Sequence, residues 1–226
     1  MRLSEIYTSV QGEGPGAGSM TQFIRFAGCN LRCPGWPCDT QHAIDPEKYR
    51  HEWKNLQPQQ IMDLVQPYPR RVVFTGGEPF LQPDEETREL FQLLLREGYT
   101  VEVFTNGTLR FPGWVGNERV RVIMDWKLQG SGEDPYNPNR IGNIRLLKQK
   151  DAIKFVIANV KDFDEAIELW NEHIFHPGSP VQVYYGVAWG KLETAELVDW
   201  VMTNRLDWKL NVQVHNYIWD RDKRGI

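Results

Sequence analysis

The sequence predicts an α/β fold, an incomplete TIM-type barrel of about six βα units in a single domain spanning residues 1–226. Short apolar runs alternate with segments of helical periodicity, the pattern of parallel βαβ units. About six such units are visible, fewer than the eight of a full barrel of about 250 residues. Small and polar residues recur just past the strand ends, at the rim where such folds bind ligands. The chain is 41% hydrophobic, enough to bury one core. No repeat, linker or compositional break divides it.

In chain order, residues 4–9 and 20–26 read as strands. Between them runs Gln11-Gly12-Glu13-Gly14-Pro15-Gly16-Ala17-Gly18, a glycine-rich turn whose backbone a ligand can approach. Gln11 and Glu13 place an amide and a carboxylate in it, groups suited to a polar heterocycle. The plainer reading is an ordinary hairpin loop. Arg25 can pair with a carboxylate in bidentate fashion, or be a solvated strand residue. Residues 43–58 are polar and rich in turn formers. A helix is expected over 58–65 from the spacing of Ile61, Met62 and Val65. The buried strand 71–75 opens onto Gly76-Gly77-Glu78, where glycines let main chain approach a cofactor.

The next helix covers 84–97, capped by Asp84, with Leu90, Phe91 and Leu94 inward and Gly98 as its stop. Strand 101–105 ends at Thr105-Asn106-Gly107-Thr108, and strand 120–126 leads to Lys127 and Ser131. Residues 135–140 read as irregular. Strand 152–158 is followed by helix 162–173, burying Ile167 and Trp170. Then come strand 181–187 and helix 192–205, with Leu197, Val198 and Val201 inward. A closing strand over 211–218 puts Gln213 and His215 on one face by alternation, and in the pocket if that face lines the barrel.

All three cysteines lie within Cys29–Cys38, spaced C-x3-C-x4-C. A disulfide would pair two and strand the third. Three readings stand: a cubane cluster with one iron left open, a Cys3His zinc site completed by His42, or small buried core thiols. Thr40, two residues on, offers a hydroxyl that a hard cation accepts as a ligand, although such Asp-Thr pairs also cap turns. The formal net charge of −4 and the lack of a basic stripe count against a nucleic-acid binder. No run reaches the roughly 18 apolar residues of a membrane span. The expectation is a cytoplasmic protein without a signal peptide, acting on a small molecule.

The cysteine loop, Gly76-Gly77-Glu78-Pro79 and Thr105-Asn106-Gly107 together resemble the radical S-adenosylmethionine enzymes. Ser9 to Gly14, Arg25 to Leu31, Cys38-Asp39-Thr40 and Gln213-Val214-His215 are similar, more specifically, to the 7-carboxy-7-deazaguanine synthase family. The similarity runs from residue 4 to about 218. It implies a radical SAM core and a homodimeric carbon–nitrogen lyase of queuosine and deazapurine synthesis. The substrate implied is 6-carboxy-5,6,7,8-tetrahydropterin, which loses ammonia to give 7-carboxy-7-deazaguanine. Cys29, Cys33 and Cys38 would hold a [4Fe–4S] cluster whose open iron binds S-adenosylmethionine. Gly76, Gly77, Glu78, Lys127 and Ser131 would serve the cofactor. Gln11, Gly12, Glu13, Arg25, Thr105 and His215 would serve the substrate, and Thr40 a magnesium ion. A flavodoxin-like one-electron donor is implied, with neither membrane nor nucleic acid as a direct partner. The superfamily spacing is C-x3-C-x2-C with an aromatic before the last cysteine. Here Pro34-Gly35-Trp36-Pro37 lengthens that gap and Pro37 takes the aromatic's place. A glycyl-radical activase would share the cluster and the glycines, but would not need Gln11, Glu13 or His215.

Overall fold

The structure is a computed structural model describing residues 1–36, 38–175, 181–220 and 223–225. Pro37, residues 221 and 222, and Ile226 of the tail lie outside the described residues. Among the described residues nine strands form one sheet: β1 Arg2–Val10, β2 Met20–Phe26, β3 Lys54–Asn55, β4 Arg71–Gly76, β5 Thr100–Thr105, β6 Val120–Trp126, β7 Ala152–Ile157, β8 Gln182–Val187 and β9 Lys209–Leu210. Their order is β3-β1-β2-β4-β5-β6-β7-β8-β9. The hairpin β1–β2 and the pair β1–β3 are antiparallel, and every pairing from β2 to β9 is parallel. The sheet ends at β3 and β9, so the barrel stays open. The helices are α1 Gln41–Ile44, α2 Pro46–Tyr49, α3 Pro58–Met62, α4 Asp84–Arg96, α5 Pro138–Ile144, α6 Val160–Leu169, α7 Thr194–Thr203 and α8 His215–Ile218.

Alternation along the strands divides the sheet into two chemically distinct faces. Ile24, Phe26, Val72, Phe74, Val101, Val103, Val122, Met124, Ile153, Phe155 and Val183 join Leu90, Leu94, Phe163, Leu169, Leu197 and Val201 from the helices in the main core. The opposite face carries a smaller apolar patch of Phe104, Ile123, Ala152 and Tyr184, with the paired Phe23 and Val73 also buried on it. Its other positions hold Arg25, Thr75, Glu102, Arg121, Asp125 and Lys154. A barrel that were closed and dry would leave such charges unpaid for in solvation. Here they pair with one another.

Several elements differ from the sequence expectation. Residues 211–218 are not a strand: pairing stops at Leu210, and His215–Ile218 is one turn of helix. Residues 135–140 are not all irregular, because the Asn137 side chain accepts from Asn139 and Arg140 N–H and starts α5. Asp84 is not the cap of α4. Pro83 holds that position, and Asp84, Glu85 and Glu86 form an acidic first turn that suits the helix dipole. Helix α6 begins earlier than 162, capped by Asn159, and passes into a π turn over Trp170–Ile174. It buries Phe163, Ala166 and Leu169, while Ile167 and Trp170 are only half-buried. Within 43–58 the chain makes α1, α2 and the edge strand β3.

Candidate functional site

The cysteine loop leaves the end of β2 and folds onto the tip of β4. Gly77 N–H donates to Phe26 O (3.0 Å) and Glu78 N–H to Gly28 O (2.8 Å). A Cβ on Gly77 would lie 1.8 Å from Gly28 O, and one on Gly76 2.1 Å from Phe26 O, with Gly76 at φ +120°. The two glycines are therefore required by the loop's own backbone. Glu78 is 0% exposed. Its carboxylate accepts from Phe80 N–H (3.0 Å), Thr105 Oγ1 (2.8 Å) and Asn106 N–H (2.8 Å). Burial pushes its pKa up to about 7 against those three donors. Glu78 and Thr105 thus bind each other and join the tips of β4 and β5, and neither side chain opens onto the rim. Asn106, beside them, reaches Asn30 Oδ1 (3.1 Å) and Cys29 Sγ (3.8 Å).

The three thiols are free and half-buried. Leu31 N–H points at Cys29 Sγ (3.4 Å), and Thr40 Oγ1 lies 3.2 Å from Cys38 Sγ and 3.4 Å from Gly76 O. Burial raises all three thiol pKa values, Cys33 to about 12. Cys33 is left-handed at φ +45°, which costs an L-residue about 1–2 kcal/mol. Ser131 is fully buried, and its hydroxyl donates to Leu128 O (2.6 Å). It closes its own turn, the 3-10 turn Gln129–Ser131. His42 does not turn toward the thiols. Its Nε2 lies 2.9 Å from Glu5 Oε1, the oxygen that also accepts from Arg25 Nε (2.7 Å). Arg25 further donates to the Tyr7 hydroxyl (2.7 Å).

Charges line the concave face beyond the loop. Lys154 Nζ bridges Glu13 Oε2 (2.8 Å) and Asp125 Oδ2 (3.0 Å), and Lys127 Nζ reaches the same Asp125 oxygen (3.0 Å). Burial alone would raise the Asp125 pKa, but Lys127 and Lys154 outweigh it and hold it at about 2. Burial likewise opposes ionisation of Glu13, and Lys154 overrides it, so its pKa stays below the usual carboxylate range. Gln11 is buried and donates to Glu102 Oε2 (3.3 Å), while Arg71 and Arg121 grip Glu102 Oε1 at 2.9 and 2.8 Å. The C-terminal segment closes over the first hairpin loop. Gln213 Nε2 donates to Glu13 Oε1 (2.7 Å) and Val214 N–H to Gly12 O (3.0 Å). A Cβ on Gly12 would fall 1.9 Å from His215 Nδ1, so the imidazole lies directly on that glycine. Gln213 and His215 reach the loop through a turn, with no part played by strand alternation.

A profile of the Radical SAM superfamily matches residues 23–182. Over 229 aligned residues the chain is 32% identical to a 7-carboxy-7-deazaguanine synthase of Clostridium acetobutylicum, covering 100% of this chain and 99% of that one. The chain belongs to the 7-carboxy-7-deazaguanine synthase family of the radical SAM superfamily. A second synthase, from Leptospira interrogans, is 32% identical over 99% of this chain and 97% of its own. Among solved structures, QueE from Escherichia coli superposes with a TM-score of 0.74 at 21% identity, covering 94% and 93% of the two chains. A structure described as anSMEcpe with bound AdoMet superposes at 0.56 with 15% identity, covering 82% and 61%.

Membership of this superfamily implies a [4Fe–4S] cluster and S-adenosylmethionine, and the donor set fits both. In a cubane each thiolate holds a different iron. Among the described residues no three His, Cys, Asp or Glu side chains are placed to hold one metal ion. Three free thiols on one loop, with N–H and O–H donors at two of the sulfurs, fit the three-thiolate donor set of such a cluster. His42, engaged by Glu5, is not a fourth ligand. Asp125 Oδ1 is buried and has no hydrogen-bond partner among the described residues, which leaves an acceptor at the rim for a cofactor hydroxyl. Sequence reasoning missed Glu5, Glu102, Glu133 and Lys154. The signal for Glu102 and Lys154 was one charged residue inside an otherwise apolar strand.

Proposed function

We propose that this chain converts 6-carboxy-5,6,7,8-tetrahydropterin to 7-carboxy-7-deazaguanine with loss of ammonia. The observation that carries the reading is the charged concave face, where Lys154 bridges Glu13 to Asp125, Gln213 binds Glu13, and Arg25 lies on the same face of the sheet. This is a polar, charged floor, suited to a flat heterocycle bearing an amidine edge and a carboxylate. Glu13, held ionised by Lys154, accepts from the amidine edge. Arg25, oriented by Glu5 and Tyr7, faces the substrate carboxylate. His215 and Gly12 border the same space, and the small glycine admits the imidazole. Thr40 Oγ1, beside Cys38, offers one ligand to a magnesium ion completed by substrate oxygens and water.

Cys29, Cys33 and Cys38 hold the cluster. Gly76 and Gly77 carry the main chain nearest to it, with Lys127, Asp125 and the Ser131 turn on the cofactor's other side. When bound, the cluster and S-adenosylmethionine supply a carbon-centred radical that removes one hydrogen atom from the substrate. The protein's residues orient the ring and keep water out. A small flavodoxin-like donor of single electrons, a homodimeric assembly and a reducing cytoplasm complete the reading. No helix of the described residues is long and apolar enough to cross a membrane.

Steady-state kinetics of Glu13→Gln tests the assignment. Losing a charged hydrogen bond to the substrate costs about 1.5–3 kcal/mol, so KM for the pterin should rise about tenfold or more. Iron content and cleavage of S-adenosylmethionine should not change. An unaltered KM would remove Glu13 from the substrate site.

A further inference from the structure

Pro34 and Gly35 of the lengthened segment meet the turn after β6 in a set of contacts that the family's general chemistry does not require. Glu133 Oε1 accepts two backbone N–H groups, from Arg32 (2.7 Å) and from Cys33 (2.6 Å). Cys33 is one of two non-glycine residues with positive φ among those described, at +45°. Gly35 N–H donates to Ser131 O (2.9 Å). A Cβ on Gly35 would fall 1.9 Å from Gly130 O, and one on Gly132 2.5 Å from Pro34 Cγ. The turn is itself anchored from α6, where Asp162 Oδ1 accepts from Gly130 N–H (2.9 Å) and Glu165 Oε2 from Gln129 N–H (2.7 Å). The cysteine loop is therefore tied on one side to the β4 tip and on the other, through residues 129–133, to α6.

We propose that Glu133 is a positioning residue for the cluster, with the 129–133 turn serving as the cradle of the elongated C-x4-C loop. Its carboxylate oxygen fixes the left-handed turn at Cys33 and so aims that sulfur. This inference rests on the functional reading above, because it presumes that Cys33 is a cluster ligand. Both N–H groups go to one oxygen, so what matters is an acceptor at that point and not the negative charge.

The test compares wild type, Glu133→Gln, Glu133→Ala and Gly35→Ala, reconstituted anaerobically. Readouts are iron retained after dialysis against a chelator, the reduced-cluster EPR spectrum with and without S-adenosylmethionine, and the thermal unfolding of the metal-free chains. Glutamine keeps an acceptor in place and should retain about four irons per chain, with the wild-type EPR change on adding S-adenosylmethionine. Glu133→Ala should lose most of its iron. Removing a hydrogen-bonded partner of a metal ligand typically weakens binding about 10–100-fold. Gly35→Ala should do the same without touching Glu133. The metal-free chains should keep the wild-type far-UV circular dichroism and unfold in one cooperative transition. Full iron and an unchanged spectrum in Glu133→Ala, or a glutamine variant as poor as alanine, would overturn the proposal alone. A wild-type chain that takes up no iron would overturn the functional reading first, and this inference with it.

Discussion

Asp125 sits between two ammonium groups, Lys127 and Lys154, both 3.0 Å from its Oδ2. Its pKa is held at about 2, below the 3.8 of an unfolded aspartate. A depressed carboxylate stabilises the fold above its unfolded pKa, and that contribution fades as pH falls from about 4 through 2. The shift corresponds to about 2 kcal/mol. Asp125→Asn should lower the stability of the metal-free chain by about that amount at pH 7 and flatten its acid dependence between pH 4 and 2. Denaturant titrations across that range measure both effects. A wild-type slope in the variant would mean that Asp125 is not the titrating group. His42 makes a second residue-scale case. Removing it by His42→Ala deletes a hydrogen bond to Glu5, at a cost of about 1–2 kcal/mol, and should leave the iron count untouched. Loss of metal would restore the histidine as a ligand. Near the thiols, and spaced as a ligand might be, His42 was ambiguous in sequence. Its partner Glu5 lies 37 residues away on β1, a proximity that no local pattern encodes.

At the scale of elements, β4 and its tip set the geometry of the cysteine loop. Gly77→Ala would place a Cβ 1.8 Å from the Gly28 carbonyl oxygen, an atom of rigid backbone. Overpacking of this kind costs about 1–3 kcal/mol. The loop must move, so iron bound per chain should fall while far-UV circular dichroism stays that of the wild type. Normal iron loading in this variant would show that the loop tolerates displacement. The strands and the helices at 84–97 and 192–205 were legible because apolar periodicity writes burial into the sequence. The strand expected at 211–218 failed for a related reason. Alternation there, Val212 and Val214 between polar residues, imitates a half-buried strand. Yet Asn211 Oδ1 accepts from Gly14 N–H (2.8 Å), and Gln213 turns to Glu13. Asn211 N–H still donates to Tyr185 O of β8 (2.7 Å), but beyond it bonds to the first loop, from the Gln213 side chain and Val214 N–H, hold the segment. Helix α5 was hidden by Pro138 and Gly142, residues that usually mark loops. An asparagine cap and a proline at the first helical position explain it.

The whole molecule is a sheet left open at both ends, with its apolar face covered by helices and its concave face charged. The order of strands and helices made the architecture readable, and the motifs at the strand tips made the rim readable. The pairing of charges across the concave face was not readable. Glu13 and Lys154 lie 141 residues apart; the parallel register of β6 and β7 sets Asp125 beside Lys154, and the first hairpin loop, packed on β7, brings Glu13 to the same ammonium. The same topology separates supports from presenters. Glu78 and Thr105, expected to face ligands, join the tips of β4 and β5, and the Ser131 hydroxyl closes its own turn. Gln11, Glu13, Arg25 and His215 are the residues proposed to meet the substrate. The central claim is that this floor receives a carboxylated tetrahydropterin beside a three-thiolate cluster. Its most direct test is a single-turnover assay. Iron-loaded chain, S-adenosylmethionine, a strong one-electron reductant and 6-carboxy-5,6,7,8-tetrahydropterin are combined without oxygen, and the products are resolved by mass spectrometry. The account predicts 7-carboxy-7-deazaguanine and ammonia in equal amounts. Cleavage of S-adenosylmethionine by an iron-loaded chain, with the pterin left intact, would contradict it.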